Sequence, residues 1–131
     1  MDFPEDLYYT KEHEWVKLLE NESAVLIGIT EYAQDKLGDI VHVELPDEED
    51  EVHVNEPFGS IESVKAVSDV YAPVSGHVLE NNSALLDSPE AVNDDPYEDG
   101  WLVKVEVENM DFVHELMNAE EYAEFIENEE D

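Results

Sequence analysis

Five lysines and no arginine stand against 37 Asp and Glu in this 131-residue chain, so each cation calls for a reason. Lys65 is the hardest to explain by structure. It lies in SIESVKAVSDVY, residues 60–71, flanked by Glu62, Ser63 and Val64 on one side and Ala66 and Val67 on the other. At the tip of a tight turn an amine projects away from its own sheet, where a modifying enzyme reaches it and an attached arm swings freely. Amide formation there would remove the positive charge and add length. The plainer alternative is an ordinary surface lysine in a hairpin.

Other chemistry is poorly represented. The chain has no nucleophile elbow, no glycine loop for phosphate and no zinc-ligand spacing, and His13, His42, His53, His77 and His114 are scattered. No catalytic residue and no metal site is expected. Carboxylate pairs carry no information, because 37 acids supply pairs at any spacing. Glu12, His13 and Glu14 could form a buried acid–base site, but a charged strand edge is the preferred reading. The acids of PDEEDE lack the alternating ligands and glycine of a calcium loop. Zero cysteines exclude disulfides, thiolate metal sites and a cysteine nucleophile, so sulfur redox chemistry would have to arrive on a cofactor.

The elements that must hold Lys65 follow from short β-branched runs. Val64, Val67 and Val70 favour strands, so residues 60–71 read as two strands folded back at a type I turn on Val64 and Lys65. Runs 14–19 and 23–30 form a hairpin around Glu20, Asn21 and Glu22. Thr30 caps a short helix EYAQDKL, which Gly38 ends in a left-handed conformation. In DIVHVEL, Val41, Val43 and Leu45 should face inward and His42 and Glu44 outward. Short strands follow at residues 52–54 and in GHVLEN, and residues 85–100 read as a long irregular loop. In WLVKVEV, Trp101, Val103, Val105 and Val107 alternate with Leu102, Lys104 and Glu106. Beyond Asp111, Phe112, Val113, Leu116 and Met117 recur at helical spacing; Asn118 and Glu121 resemble a capping box opening a second helix, and ENEED should fray. Many short strands plus a helical appendix suggest a mostly β barrel or sandwich.

Charge and hydropathy describe the surroundings. A net charge of −32 would favour disorder, but 42% hydrophobic residues supply a core. A folded surface of roughly 7,000 Å² spaces the acids about 14 Å apart, further than the roughly 3 Å Debye length of molar salt but not comfortably beyond the roughly 8 Å of ordinary buffers. Such a surface suits a saline cytoplasm; a docking face for a basic partner is disfavoured because the acid runs from Asp2 to Asp131. Without a basic patch no nucleic-acid partner is expected, and without a leader or a long apolar run a soluble cytoplasmic protein is expected, with no membrane partner.

Taken together, ESVKAVSDVYAPVSG, HEWV, GITEYAQDKLGDIV with its VELP ending, and DPYEDGWLVK resemble the H proteins of the glycine cleavage system in order and spacing, from about Tyr9 to Phe125. The resemblance implies one lipoyl-carrier domain over residues 1–131: a lipoyl-domain-like barrel-sandwich hybrid with a short internal helix and a C-terminal helical segment over about 110–127. It implies lipoate in amide linkage on Lys65, as N6-lipoyllysine. It also implies a non-catalytic, monomeric carrier that moves the aminomethyl group of glycine from glycine decarboxylase to an aminomethyltransferase, and reducing equivalents to dihydrolipoyl dehydrogenase, after lipoate-attaching enzymes have loaded it. Glu14 and Asp69 fall where the family contacts the protonated aminomethyl group, and Lys36 falls at a third such position, where its cation would repel that guest. Biotin acceptor lysines are usually flanked by methionine, and lipoyl domains of 2-oxoacid dehydrogenases lack HEWV and the C-terminal helices, so both fit less well. A purely acidic interaction protein would work with Lys65 replaced.

Overall fold

A computed structural model describes residues 3–129. Its first sheet has the order β1-β2-β3-β9-β8-β5, built from Tyr8–Tyr9, Glu14–Leu19, Ala24–Ile29, Val103–Glu106, Gly76–Asn81 and Glu51–Val52. The second has the order β4-β6-β7, from Ile40–Glu44, Pro57–Ser63 and Val67–Tyr71. Every pairing is antiparallel.

The two sheets pack over a valine-rich interior. Val16, Val25, Ile27, Val78, Val103 and Val105 of the first sheet share one core cluster, and Ile40, Val43, Ile61 and Val70 of the second share another with Ile29 and Leu102. Phe58 packs against both clusters and joins them. On the opposite face of the first sheet, Tyr9 and Trp15 are covered by Tyr122 and Ile126. These last come from α4, Ala119–Glu129, opened by the expected capping box: Asn118 N–H donates to Glu121 Oε1 at 2.9 Å and Glu121 N–H to Asn118 Oδ1 at 2.8 Å.

Local signals elsewhere read correctly. The first hairpin forms, with a 3₁₀ turn at Glu20–Glu22, and α1 spans Glu31–Leu37 with the Thr30 hydroxyl accepting from Ala33 N–H. Gly38 ends α1 with φ 83° and ψ −154°, so φ is positive as expected but ψ lies outside the left-handed helical region, in territory essentially reserved for glycine.

Other expectations need correction. Val41 does not face inward; it is 47% exposed, because the pairing of β4 with β6 shifts register between Ile40 and His42. Residues 52–54 do not form a strand of their own, since β5 ends at Val52. The expected irregular loop contains α2, Ala84–Asp87, and α3, Ala91–Asp94, each a single turn anchored by buried Leu85 or Val92. Leu102 is buried rather than outward, because it precedes β9 and packs into the second cluster. The 110–127 segment has two helical pieces as expected, but the first is only a 3₁₀ turn at Asp111–Glu115, followed by a bridge between Met117 and Tyr9. Of ENEED, residues 127–129 belong to α4, and 130–131 lie outside the described residues. Among the described residues no helix is long and apolar enough to cross a membrane.

Candidate functional site

β6 and β7 form a hairpin whose register runs from Pro57 opposite Tyr71 to Glu62 opposite Val67, leaving Val64, Lys65 and Ala66 at the apex. The apex is tied by Ser63. Its hydroxyl accepts from Lys65 N–H at 3.3 Å and from Ala66 N–H at 3.1 Å, while Ser63 N–H donates to the Ala66 carbonyl at 2.8 Å. The Ala66 N–H that a type I turn would offer to the Ser63 carbonyl is thus engaged by the side chain of the same residue, which is how serine closes a turn with no glycine in it. Ser63 itself is buried, whereas Val64 and Val67 are 69% and 68% exposed and Glu62, Lys65 and Ala66 are exposed beside them.

The tip also leans on the body of the protein. Val64 N–H donates to the Asp39 carbonyl at 3.1 Å, and the Lys65 side chain passes over Gly38, with Cε 3.5 Å from where a Cβ on that glycine would stand. Among the described residues no carboxylate lies within ion-pair distance of the Lys65 ammonium. The amine is therefore presented to solvent on a braced tip, and the arrangement suits an amide-linked group.

Glu14 belongs to a second, buried part of the site. Strand parity turns it to the same side as Val16, at the mouth of the sandwich, and it is 2% exposed. Thr10 Oγ1 donates to its Oε1 at 2.8 Å, and Tyr71 N–H at the end of β7 donates to its Oε2 at 3.0 Å, so one carboxyl joins the two sheets. Burial pushes this carboxyl up to about 7; the Thr10 and Tyr71 hydrogen bonds oppose the shift and nearby Glu12 adds to it. The charged-edge reading of Glu12, His13 and Glu14 is corrected accordingly. His13 adopts φ 70° and is half-buried, with Nδ1 2.9 Å from the Tyr122 hydroxyl and Nε2 3.1 Å from Glu129. Burial holds its imidazole below the ordinary value, against the raising pull of Glu129 and Glu12.

A groove of about 430 Å³ opens beside Glu14, lined by Thr10, Lys11, Tyr71, Pro73, Leu116 and Met117 among others. Asp69 stands exposed on β7, four residues from Lys65 and two from Tyr71. Leading away from the Lys65 apex, β7 thus carries first Asp69 and then the Tyr71 amide that contacts Glu14. Lys36 is exposed on α1, its ammonium 5.2 Å above the Tyr32 ring. Neither Thr10 nor the Tyr71 amide could be read from the sequence as a partner of Glu14, and the second lies 57 positions away.

An exposed lysine at the braced apex of a hairpin in a two-sheet β sandwich is the arrangement of a lipoyl-domain-like carrier. The family model for the glycine cleavage H-protein matches residues 7–129. The chain is 59% identical over 126 residues to the glycine cleavage system H protein of Staphylococcus saprophyticus, covering 96% of this chain and 98% of that one. To that of Oceanobacillus iheyensis it is 53% identical over 128 residues, covering 98% and 100%. The crystal structure of a glycine cleavage system H protein from Mycobacterium marinum superposes with a TM-score of 0.85 at 40% identity, covering 93% of this chain and 97% of that one. This chain belongs to the glycine cleavage H-protein family, the lipoyl carriers of the glycine cleavage system.

Proposed function

We propose that Lys65 carries lipoate through an amide on its ε-amine and that the chain works as a single, non-catalytic carrier domain. When attached, lipoate supplies the sulfur chemistry that accepts the aminomethyl group of glycine at glycine decarboxylase, releases it at the aminomethyltransferase and is reoxidised by dihydrolipoyl dehydrogenase. The observation that carries this reading is the exposed Lys65 amine on a tip fixed by Ser63 and Asp39, within the H-protein family.

The remaining residues have assigned tasks. Val64, Ala66 and Val67, exposed around the amine, together with Glu62 and the turn-closing Ser63, form the feature that lipoate-attaching enzymes meet. Asp69 offers a carboxylate to a protonated aminomethyl group; Glu14 adds a charge-assisted hydrogen bond only in its ionised form, which burial disfavours below about pH 7, and such a bond gains strength where water is excluded. Lys36 opposes that cation from α1 and weakens the hold. The carrier acts as a cytoplasmic monomer, and its acidic surface is an adaptation to a saline interior.

The test is intact-protein mass spectrometry on material from the native host degrading glycine, followed by peptide mapping. One lipoyl group on Lys65 is expected. In a reconstituted glycine cleavage system, Lys65→Arg should lose turnover completely while its stability stays within about 0.5 kcal/mol, as for most exposed substitutions. An unmodified Lys65 in active cells, or undiminished turnover with arginine, overturns the assignment.

A further inference from the structure

We infer that Asn93 is a positioning residue for Lys65, acting through the turn between α1 and β4; the functional part of this inference rests on Lys65 being the attachment residue. Asn93 lies in α3, remote from the hairpin in sequence, and α3 is fixed to the interior by Val92, which is fully buried in the core cluster shared with Ile40 and Ile61. Both donors of the Asn93 amide and its oxygen are directed at one segment, residues 34–40. Oδ1 accepts from Ile40 N–H at 2.9 Å, and Nδ2 donates to the Gly38 carbonyl at 2.9 Å and to Gln34 Oε1 at 2.9 Å.

Two of these bonds grip the backbone on either side of Asp39. Gripping the chain at residues 38 and 40 fixes the peptide carbonyl between them, and that carbonyl, on Asp39, accepts from Val64 N–H at 3.1 Å. Val64 is the residue before Lys65. A continuous path therefore runs from the core through Val92 and Asn93 to the 38–40 turn and into the hairpin apex. The same turn supplies the floor under the lysine. Gly38 lies directly beneath the Lys65 side chain, where even a Cβ would stand 3.5 Å from Lys65 Cε in ordinary contact; what calls for glycine here is φ 83°, not space.

The consequence concerns recognition. A hairpin apex held only by its own hydrogen bonds frays readily, because such local openings cost little compared with global unfolding. Each enzyme that handles the amine must then select one orientation from many, and the fraction of competent molecules scales the apparent affinity directly. The Asn93 clamp restricts the apex to one orientation before any encounter. Its loss should raise KM for the acceptor protein and leave kcat nearly unchanged, because the amine itself is untouched.

The experiment compares the apo-protein with Asn93→Ala and Asn93→Asp. Aspartate keeps the volume and an acceptor for Ile40 N–H but removes both donors and sets a carboxylate against the Gly38 carbonyl, so it provides a second variant if alanine fails to fold. Amide hydrogen exchange at Val64 is followed alongside that of the core amides of Val25 and Ile27, and initial rates of lipoate attachment are measured as a function of acceptor concentration. The expected result is Val64 exchange at least tenfold faster relative to the core amides, with KM for attachment raised severalfold and kcat within twofold. Lowered thermal stability with Val64 exchange and KM unchanged would show a merely structural Asn93 and overturn the inference. Should the unaltered protein gain no mass at Lys65, the attachment reading fails, and Val64 exchange then decides separately whether the clamp exists.

Discussion

Replacing Glu14 by glutamine should remove one large pH-dependent contribution to the stability of the protein. The carboxyl is nearly sealed from water, and its folded-state value is raised from 4.5 to about 7. The raised value means that the folded chain binds this proton more tightly than the unfolded chain does. Stability from the group is fully present below about pH 4.5 and is lost as pH rises through about 7. At about 1.4 kcal/mol per pH unit, the loss across that window is on the order of 3 kcal/mol. Glutamine mimics the protonated acid: its oxygen can accept from Tyr71 N–H, and its amide can donate to Thr10. The free-energy difference between Glu14→Gln and the unaltered protein should therefore shift in favour of the variant by about 3 kcal/mol between about pH 4 and pH 8. Urea denaturation of both proteins at fixed molar salt, repeated at several pH values, reads this difference while other titrations cancel. A difference that stays constant across the window would refute the argument, since it would mean that Glu14 is ionised in the folded protein as readily as in the unfolded one.

Two further outcomes are expected. The Tyr122 hydroxyl lies 2.9 Å from His13 Nδ1 and 2.8 Å from Thr30 Oγ1 in a buried setting, so Tyr122→Phe should destabilise by about 1 to 3 kcal/mol in chemical denaturation; an unchanged midpoint would mean that water or a shifted side chain replaces the bond. With a net charge of −32, thermal stability should rise between about 0.1 M and molar sodium or potassium chloride as the Debye length contracts, and equal Tm values at the two salt concentrations would count against self-repulsion as the dominant surface term.

Features that depend on neighbours a few residues apart are legible along the chain. The Thr30 cap, the reciprocal Asn118 and Glu121 bonds, and the reversal of the chain at Val64 to Ala66 are set by local donors, acceptors and β-branched side chains. Lys65 stands out from the scarcity of cations alone, and family resemblance adds lipoate on it and a role for Glu14. Tertiary structure decided what depends on partners distant in the chain. Val41 reads as an inward residue until the register shift in its pairing with β6 turns it out, and register is a property of two strands together. Glu14 reads as one acid among many until the Tyr71 amide and the walls of the sandwich close over it and raise its proton affinity. Asn93 stands in what looks like a loop because α3 has only four residues; packing of Val92 holds that turn, and a short helix has little stability of its own. Hydrogen bonds between residues three apart can be read along the chain, whereas burial and long-range pairing exist only once the sheets have met.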